Sequence, residues 1–198
     1  FTMSKKALHV GCSTLTLKHA PAYFQQGEWT EVRYDIDPAA KPDILGTITD
    51  MHRVSSGSVD AVYSSHNLEH VFPHEVAVVL SEFKRVLKPN GICVVGVPDL
   101  QAVAKLIAND KLEDVAYSSP AGDITPLDML YGLRTALSSG QHYMAHKTGF
   151  TVKTLSQYFF SAGFKTVTYS QSYYAINMAA YAGDVDTVTL ESDKALLF

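Results

Sequence analysis

The chain has 198 residues, 46% of them hydrophobic and 18% charged, enough to bury one sizeable core within the ordinary range of a single domain, taken here as residues 1–198. A formal net charge of -4 and a pI near 6.0 provide no basic field for a phosphate backbone, so the expected partner is a small molecule and not nucleic acid. No apolar run approaches the roughly 20 residues that span a bilayer, and the first residues lack the apolar stretch of a signal peptide, so the expectation is a cytoplasmic protein without membrane attachment.

Met3 reads as the start, with Phe1 and Thr2 as expression remnants. The first strand is predicted over residues 7–10, running straight into Gly11, and the second over residues 31–38, closed by Pro38. Between them Pro21 leaves room only for a short helix over residues 22–26, so the first crossover is clipped relative to a full β-α-β unit. A third strand is expected over 43–48 and a fourth over 59–64, the latter preceded by the turn-forming Ser55-Ser56-Gly57-Ser58.

The clearest helix spans residues 73–88, where Val76, Val79, Leu80, Phe83, Val86 and Leu87 recur at helical spacing and Pro89-Asn90-Gly91 stops the run. Residues 92–97 form the nearly uninterrupted apolar run of a central parallel strand covered on both faces, and a helix follows over 100–109. Residues 110–149 have no clean periodicity and carry Pro120, Gly122, Pro126, Gly132 and Gly140. A helix over 151–162 ends at Gly163, and strands over 164–169 and 174–182, joined by a short connection, suggest an antiparallel hairpin at one sheet edge. Cys12 and Cys93 both fall in strand or strand-end segments, where a reduced cysteine acts as a small hydrophobe.

This alternation predicts an α/β fold: a doubly wound, mostly parallel, Rossmann-like sheet with an antiparallel edge hairpin, which binds ligands at the carboxyl ends of its strands. A strand entering Gly11, followed by Asp35 at the end of the next strand, is the spacing used for nucleoside cofactors. The plainer alternative is that Gly11 makes an ordinary turn and Asp35 helps cap the Asp37-Pro38 turn.

Four stretches together carry a resemblance: Gly11-Cys12-Ser13-Thr14-Leu15; Tyr34-Asp35-Ile36-Asp37-Pro38; Val59 through Ser64-Ser65-His66-Asn67-Leu68-Glu69-His70; and Phe83-Lys84-Arg85-Val86-Leu87-Lys88-Pro89-Asn90-Gly91. In this order they resemble the class I S-adenosylmethionine-dependent methyltransferases, in particular a bacterial group with a Gly-Cys-Gly-x-Gly loop and a later Leu-Glu-His segment. The resemblance implies S-adenosylmethionine as cofactor, with Gly11, Cys12 and Ser13 facing its methionine part and Asp35 its ribose. It places Ile36 in the adenine slot, Asp50 and Met51 at the adenine edge, and Ser64 and His66 beneath the sulfonium. The glycine loop is degenerate, because the group's second and third glycines are Ser13 and Leu15, and an acidic residue after the third strand is replaced by Thr47. Ser13 fits such a loop if its φ is negative, and Leu15 if it points into the core.

Eight histidines are many for this length, and imidazole is the natural general base near neutral pH. His66 is the leading catalytic candidate because it follows the fourth strand directly, with His70 and His146 as further candidates. For His70 the alternative is a backbone hydrogen bond that fixes its loop. His66, His70 and His74 recur at intervals of four, as do His142 and His146, but Pro73 breaks the first set as a helix face, so no metal site is expected. Residues 110–149 are read as an insertion or lid over the acceptor site. The predicted reaction is methyl transfer to oxygen or nitrogen of a small polar acceptor such as a sugar, a carboxylate or a hydroxylated metabolite. A catalytically inactive, methyltransferase-like binding protein is the alternative, and either form could be a homodimer.

Overall fold

The computed structural model describes residues 4–198, so the reading of Met3 as the start lies outside the described residues. Seven strands form one sheet in the order β3-β2-β1-β4-β5-β9-β8. They are β1 (Lys5–Val10), β2 (Trp29–Asp35), β3 (Ile44–Leu45), β4 (Val59–Ser65), β5 (Leu87–Pro98), β8 (Thr166–Ser172) and β9 (Ala175–Tyr181). The pairs from β3 through β5 are parallel, whereas β9 runs antiparallel to both β5 and β8. The apolar run of β5 therefore has a parallel neighbour on one side only. The order reverses between β1 and β4, which places a topological switch point, and its crevice, at their carboxyl ends.

Alternation along the strands divides the core. Leu8 and Val10 face one side with α1 (Val76–Val86) and α5 (Val152–Ser161), while Ala7, Ala61 and Val94 face the other. On that second side there is no full crossover helix between β1 and β2, only two 3₁₀ turns, Leu17–His19 and Ala22–Gln25. Helix α6 (Thr187–Leu197), which follows the last predicted element, packs on the Ala22–Gln25 turn and buries Leu197 in the same cluster. The β2–β3 connection is also abbreviated, to the 3₁₀ turn Pro38–Ala40, and β3 shrinks to two residues from the six expected.

Residues 110–149 are more regular than their lack of periodicity suggested. After α2 (Leu100–Ala108) comes a two-stranded hairpin of β6 (Tyr117–Ser119) and β7 (Gly122–Ile124), then α3 (Pro126–Tyr131) and α4 (Arg134–Ser138). A network around Asp128 fixes this unit. Its carboxylate accepts from Thr125 N and Oγ1 and from Arg134 N and Nε. Burial raises the Asp128 pKa, but the bonds from Arg134 and Thr125 outweigh it and bring it down to about 2.

Candidate functional site

The carboxyl end of β1 turns sharply because Gly11 (φ 64) and Ser13 (φ 48) both lie in the left-handed region. The expected negative φ at Ser13 is thereby corrected: the serine occupies a conformation that costs an L-residue about 1–2 kcal/mol and that its neighbours must enforce. Leu15 does not point into the core either; it is 49% exposed. Cys12 is buried, and that burial pushes its thiol up to about 11, so the sulfur stays protonated and only the backbone of this residue can meet a ligand.

Asp35, buried at the end of β2, organises this turn. Its Oδ2 accepts from Ser13 N at 2.7 Å and its Oδ1 from Asp37 N at 2.9 Å, so the capping role is present and the first loop is tied to the second strand end as well. Beside it Ile36 is 54% exposed, and Leu45 is exposed at the paired end of β3. Arg33 is a residue that sequence reasoning missed. Its guanidinium donates to the carbonyls of Ser13, Leu15, Ala40 and Lys41, clamping together the two loops whose crossover helices are reduced to 3₁₀ turns.

The two residues expected at the adenine edge differ in setting. Met51 is buried in the core, and its N–H donates to Glu82. Asp50 is exposed, contacts His52 Nδ1 at 3.0 Å, and lines an open groove against α1 with Val78 and Arg85. The segment between β3 and these residues is held by Tyr34, whose hydroxyl donates to Thr47 O at 2.8 Å.

At the end of β4, Ser64 is fully buried and accepts from Asn67 Nδ2 at 3.2 Å. Asn67, also missed, lies so close to Gly11 that a Cβ there would come within 2.5 Å of its side chain, so the two strand ends flanking the switch point touch through these residues. His66 (φ 49) is likewise left-handed, and its N–H donates to Gly96 O at 2.8 Å. Leu68, wholly buried, pulls the 3₁₀ turn Leu68–His70 inward, and Glu69 goes with it to 1% exposure.

Histidines surround this carboxylate. His66 Nδ1 lies 3.4 Å from Glu69 Oε1, within ion-pair reach but not aligned as a hydrogen bond, and His146 Nε2 lies 4.0 Å from the same oxygen. Burial pushes the Glu69 carboxyl up, yet His66, His70 and His146 together hold it below its ordinary value. Burial lowers His66, and the pull of Glu69 exceeds it, so that imidazole is raised; for His146 burial prevails and the pKa is lowered. His70 Nδ1 faces Ala145 O at 3.2 Å, the loop-fixing bond considered from sequence, while Lys147 N and Thr148 N donate to Glu69 O. These contacts strap residues 145–148 onto the turn, which is how His146 arrives beside Glu69. Tyr143 reaches further and donates to Asp37 Oδ2 at 2.9 Å. His142 lies in the 3₁₀ turn His142–Met144, while His74 stacks on Phe72.

The part of the chain that carries this geometry resembles a known family. Residues 8–95 match the model of a methyltransferase domain family. That span runs from β1 through most of β5 and includes the Gly11 turn, Asp35 and the Glu69 turn. Comparison with curated proteins gives no match. The methyltransferase fold extends over nearly the whole chain. An Archaeoglobus fulgidus S-adenosylmethionine-dependent methyltransferase superposes with a TM-score of 0.60 at 14% identity, covering 91% of this chain and 87% of its own. The Burkholderia thailandensis 1,6-didemethyltoxoflavin N1-methyltransferase, solved with S-adenosylhomocysteine, gives 0.57 at 14% identity, covering 91% and 72%. A second protein of that organism, of an O-methyltransferase family, gives 0.60 at 10% identity; the chain, 92% covered, spans about half of it, 52%. Among the described residues no helix is long and apolar enough to cross a membrane.

Proposed function

We propose that the chain binds S-adenosylmethionine across the carboxyl ends of β1, β2 and β3 and transfers its methyl group to an oxygen or nitrogen of a small polar acceptor. A sugar, a carboxylate or a hydroxylated metabolite suits the tyrosines and histidines that residues 110–149 contribute. The observation that carries the reading is Asp35, buried at the end of β2 and bonded to the Gly11–Ser13 turn. An ionised carboxylate offers about four lone-pair sites, and Asp35 uses two on backbone N–H groups, so capacity remains for the two ribose hydroxyls. Exposed Ile36 and Leu45 form an apolar shelf beside it for adenine.

The cofactor, when bound, supplies a methyl group on a sulfonium that departs by in-line displacement. The chain's contribution is alignment and proton removal. His66, half exposed at the end of β4, takes the proton of a hydroxyl acceptor, and buried Glu69 stabilises the imidazolium that results. Residues 110–149 cover the acceptor and exclude water, latched by the Tyr143–Asp37 bond. The acceptor atoms named for the structural neighbours include nitrogen, oxygen and carbon, so the choice here rests on this segment.

A methyltransferase-like binding protein without catalysis is the second reading. It is favoured by Ser13 and Leu15, which put side chains where the resembling group has bare backbone. The test is release of S-adenosylhomocysteine from S-adenosylmethionine over a panel of hydroxylated and carboxylated acceptors. Turnover that falls in His66→Ala with cofactor affinity unchanged supports the enzyme reading. Equal loss of both assigns His66 to cofactor packing, and binding without turnover on any acceptor supports the second reading.

A further inference from the structure

We propose that Glu69, His70 and His146 form a binding site for one divalent first-row transition-metal cation. Glu69 is 1% exposed, and both of its carboxylate oxygens lack a hydrogen-bond partner. Burying a carboxylate costs several kcal/mol that a partner normally offsets, so an orphan of this kind points to a missing positive charge. His66 Nδ1 approaches only Oε1, at 3.4 Å, and the other two imidazoles supply no hydrogen bond. His70 Nδ1 faces Ala145 O and His146 Nδ1 faces Met129 O at 2.9 Å; a carbonyl only accepts, so in each ring Nδ1 carries the proton. In its neutral form each ring has its lone pair on Nε2. A ligand atom from each of Glu69, His70 and His146 lies within 4.8 Å of the others, with His146 Nε2 4.0 Å from Glu69 Oε1.

Three donor residues this close together, with both rings anchored through Nδ1 to backbone carbonyls, form a ligand set with a supporting shell. Nitrogen and oxygen ligands sit about 2.0–2.2 Å from zinc, so a shared ion requires the three atoms to draw together slightly, within reach of small side-chain rotations. Two imidazoles with one carboxylate suit zinc, cobalt, iron or manganese better than magnesium or calcium, and leave coordination positions open for oxygen donors. The histidine spacing that argued against a metal was sought along one helix. The site draws instead on the turn after β4 and on the strap after α4, 77 positions from Glu69 to His146, which no periodicity connects. The site shares Glu69 with the proposed partner of His66, but the inference concerns a cation held with no cofactor present and is tested without one.

The test uses the whole chain, stripped with chelator and titrated with cobalt(II). The expected result is one equivalent bound, a visible d–d band, and a melting temperature raised by about 5–10 °C at a hundredfold excess over Kd. His70→Ala and His146→Ala should each weaken binding by more than about 100-fold, beyond the 10–100-fold typical of outer-shell changes, and His52→Ala should leave it unchanged. Glu69→Gln should abolish the band. Should that variant fail to fold, the two histidine variants carry the test. No band and no thermal shift with cobalt(II), zinc or manganese(II), or undiminished affinity in both histidine variants, overturns the proposal. Titration of His146→Ala with S-adenosylhomocysteine then separates failure at this site from failure of the cofactor reading.

Discussion

Arg33→Ala tests how a methyltransferase fold with two abbreviated crossovers keeps its first loop in place. The guanidinium donates to four backbone carbonyls, those of Ser13, Leu15, Ala40 and Lys41, on both sides of β2. Hydrogen bonds from a charged donor contribute about 1.5–3 kcal/mol when buried and well under 1 kcal/mol when exposed, so four partly exposed ones sum to about 2 kcal/mol. For a chain of this size that corresponds to a melting point lower by about 4–8 °C. Because Ser13 N is one of the two donors that orient Asp35, the same change should weaken S-adenosylhomocysteine by about tenfold, or 1.4 kcal/mol. Arg33→Lys keeps the charge but not the fork, and should recover less than half of either loss. Differential scanning calorimetry and isothermal titration read the two effects. A variant that melts and binds like the parent would refute the clamp; lower stability with unchanged binding would confine Arg33 to the fold.

Ser13→Gly should change the melting point by no more than about 2 °C, because relief of left-handed strain, about 1 kcal/mol, is offset by the greater backbone entropy of glycine, and it should tighten S-adenosylhomocysteine; weaker binding would show that the serine side chain itself contacts the ligand. Asp128→Asn should destabilise at pH 7 by about 2 kcal/mol, read as melting temperature. The folded pKa of Asp128, about 2, lies below its unfolded value, so the parent's advantage exists above about pH 4 and fades as pH falls toward 2; a difference that stays constant over pH 2–7 would contradict the Arg134–Thr125 network as its source. Tyr143→Phe should speed amide hydrogen exchange over residues 141–146 without shifting the melting point, and unchanged exchange there would remove the latch.

The sheet was legible where burial writes a strong pattern. The helical spacing of Val76 to Val86 and the paired strands after Gly163 appear as elements near the expected limits, and the apolar run at residues 92–97 lies within β5, which starts five residues earlier at Leu87. Helix α6 escaped because it buries little beyond Leu197, so its stop and start signals stand without an apolar stripe. In residues 110–149 the strands have three residues and the helices five or six, too short to establish a period, although Thr125-Pro126-Leu127-Asp128 is a readable capping box. Of the proposed site, Gly11, Asp35, Ile36 and His66 lie at the strand ends where the sequence places them. Met51 was placed by position along the resemblance, and the core claimed it because β3 ends early and Tyr34 and Glu82 fix the following turn. Arg33 and Asn67 act through contacts across loops, and the meeting of His70 with His146 depends on a strap anchored by backbone bonds, for which residue spacing holds no signal.

The central claim, a nucleoside cofactor held by Asp35 beside the Gly11 turn, is tested most directly by calorimetric titration of the parent, Asp35→Ala and Asp37→Ala with S-adenosylhomocysteine. The parent should bind with a Kd in the micromolar-to-millimolar range, and Asp35→Ala should lose more affinity than Asp37→Ala, whose carboxylate serves Ala39 and Tyr143. No heat and no thermal shift in the parent at saturating ligand, or a greater loss in Asp37→Ala, would contradict it.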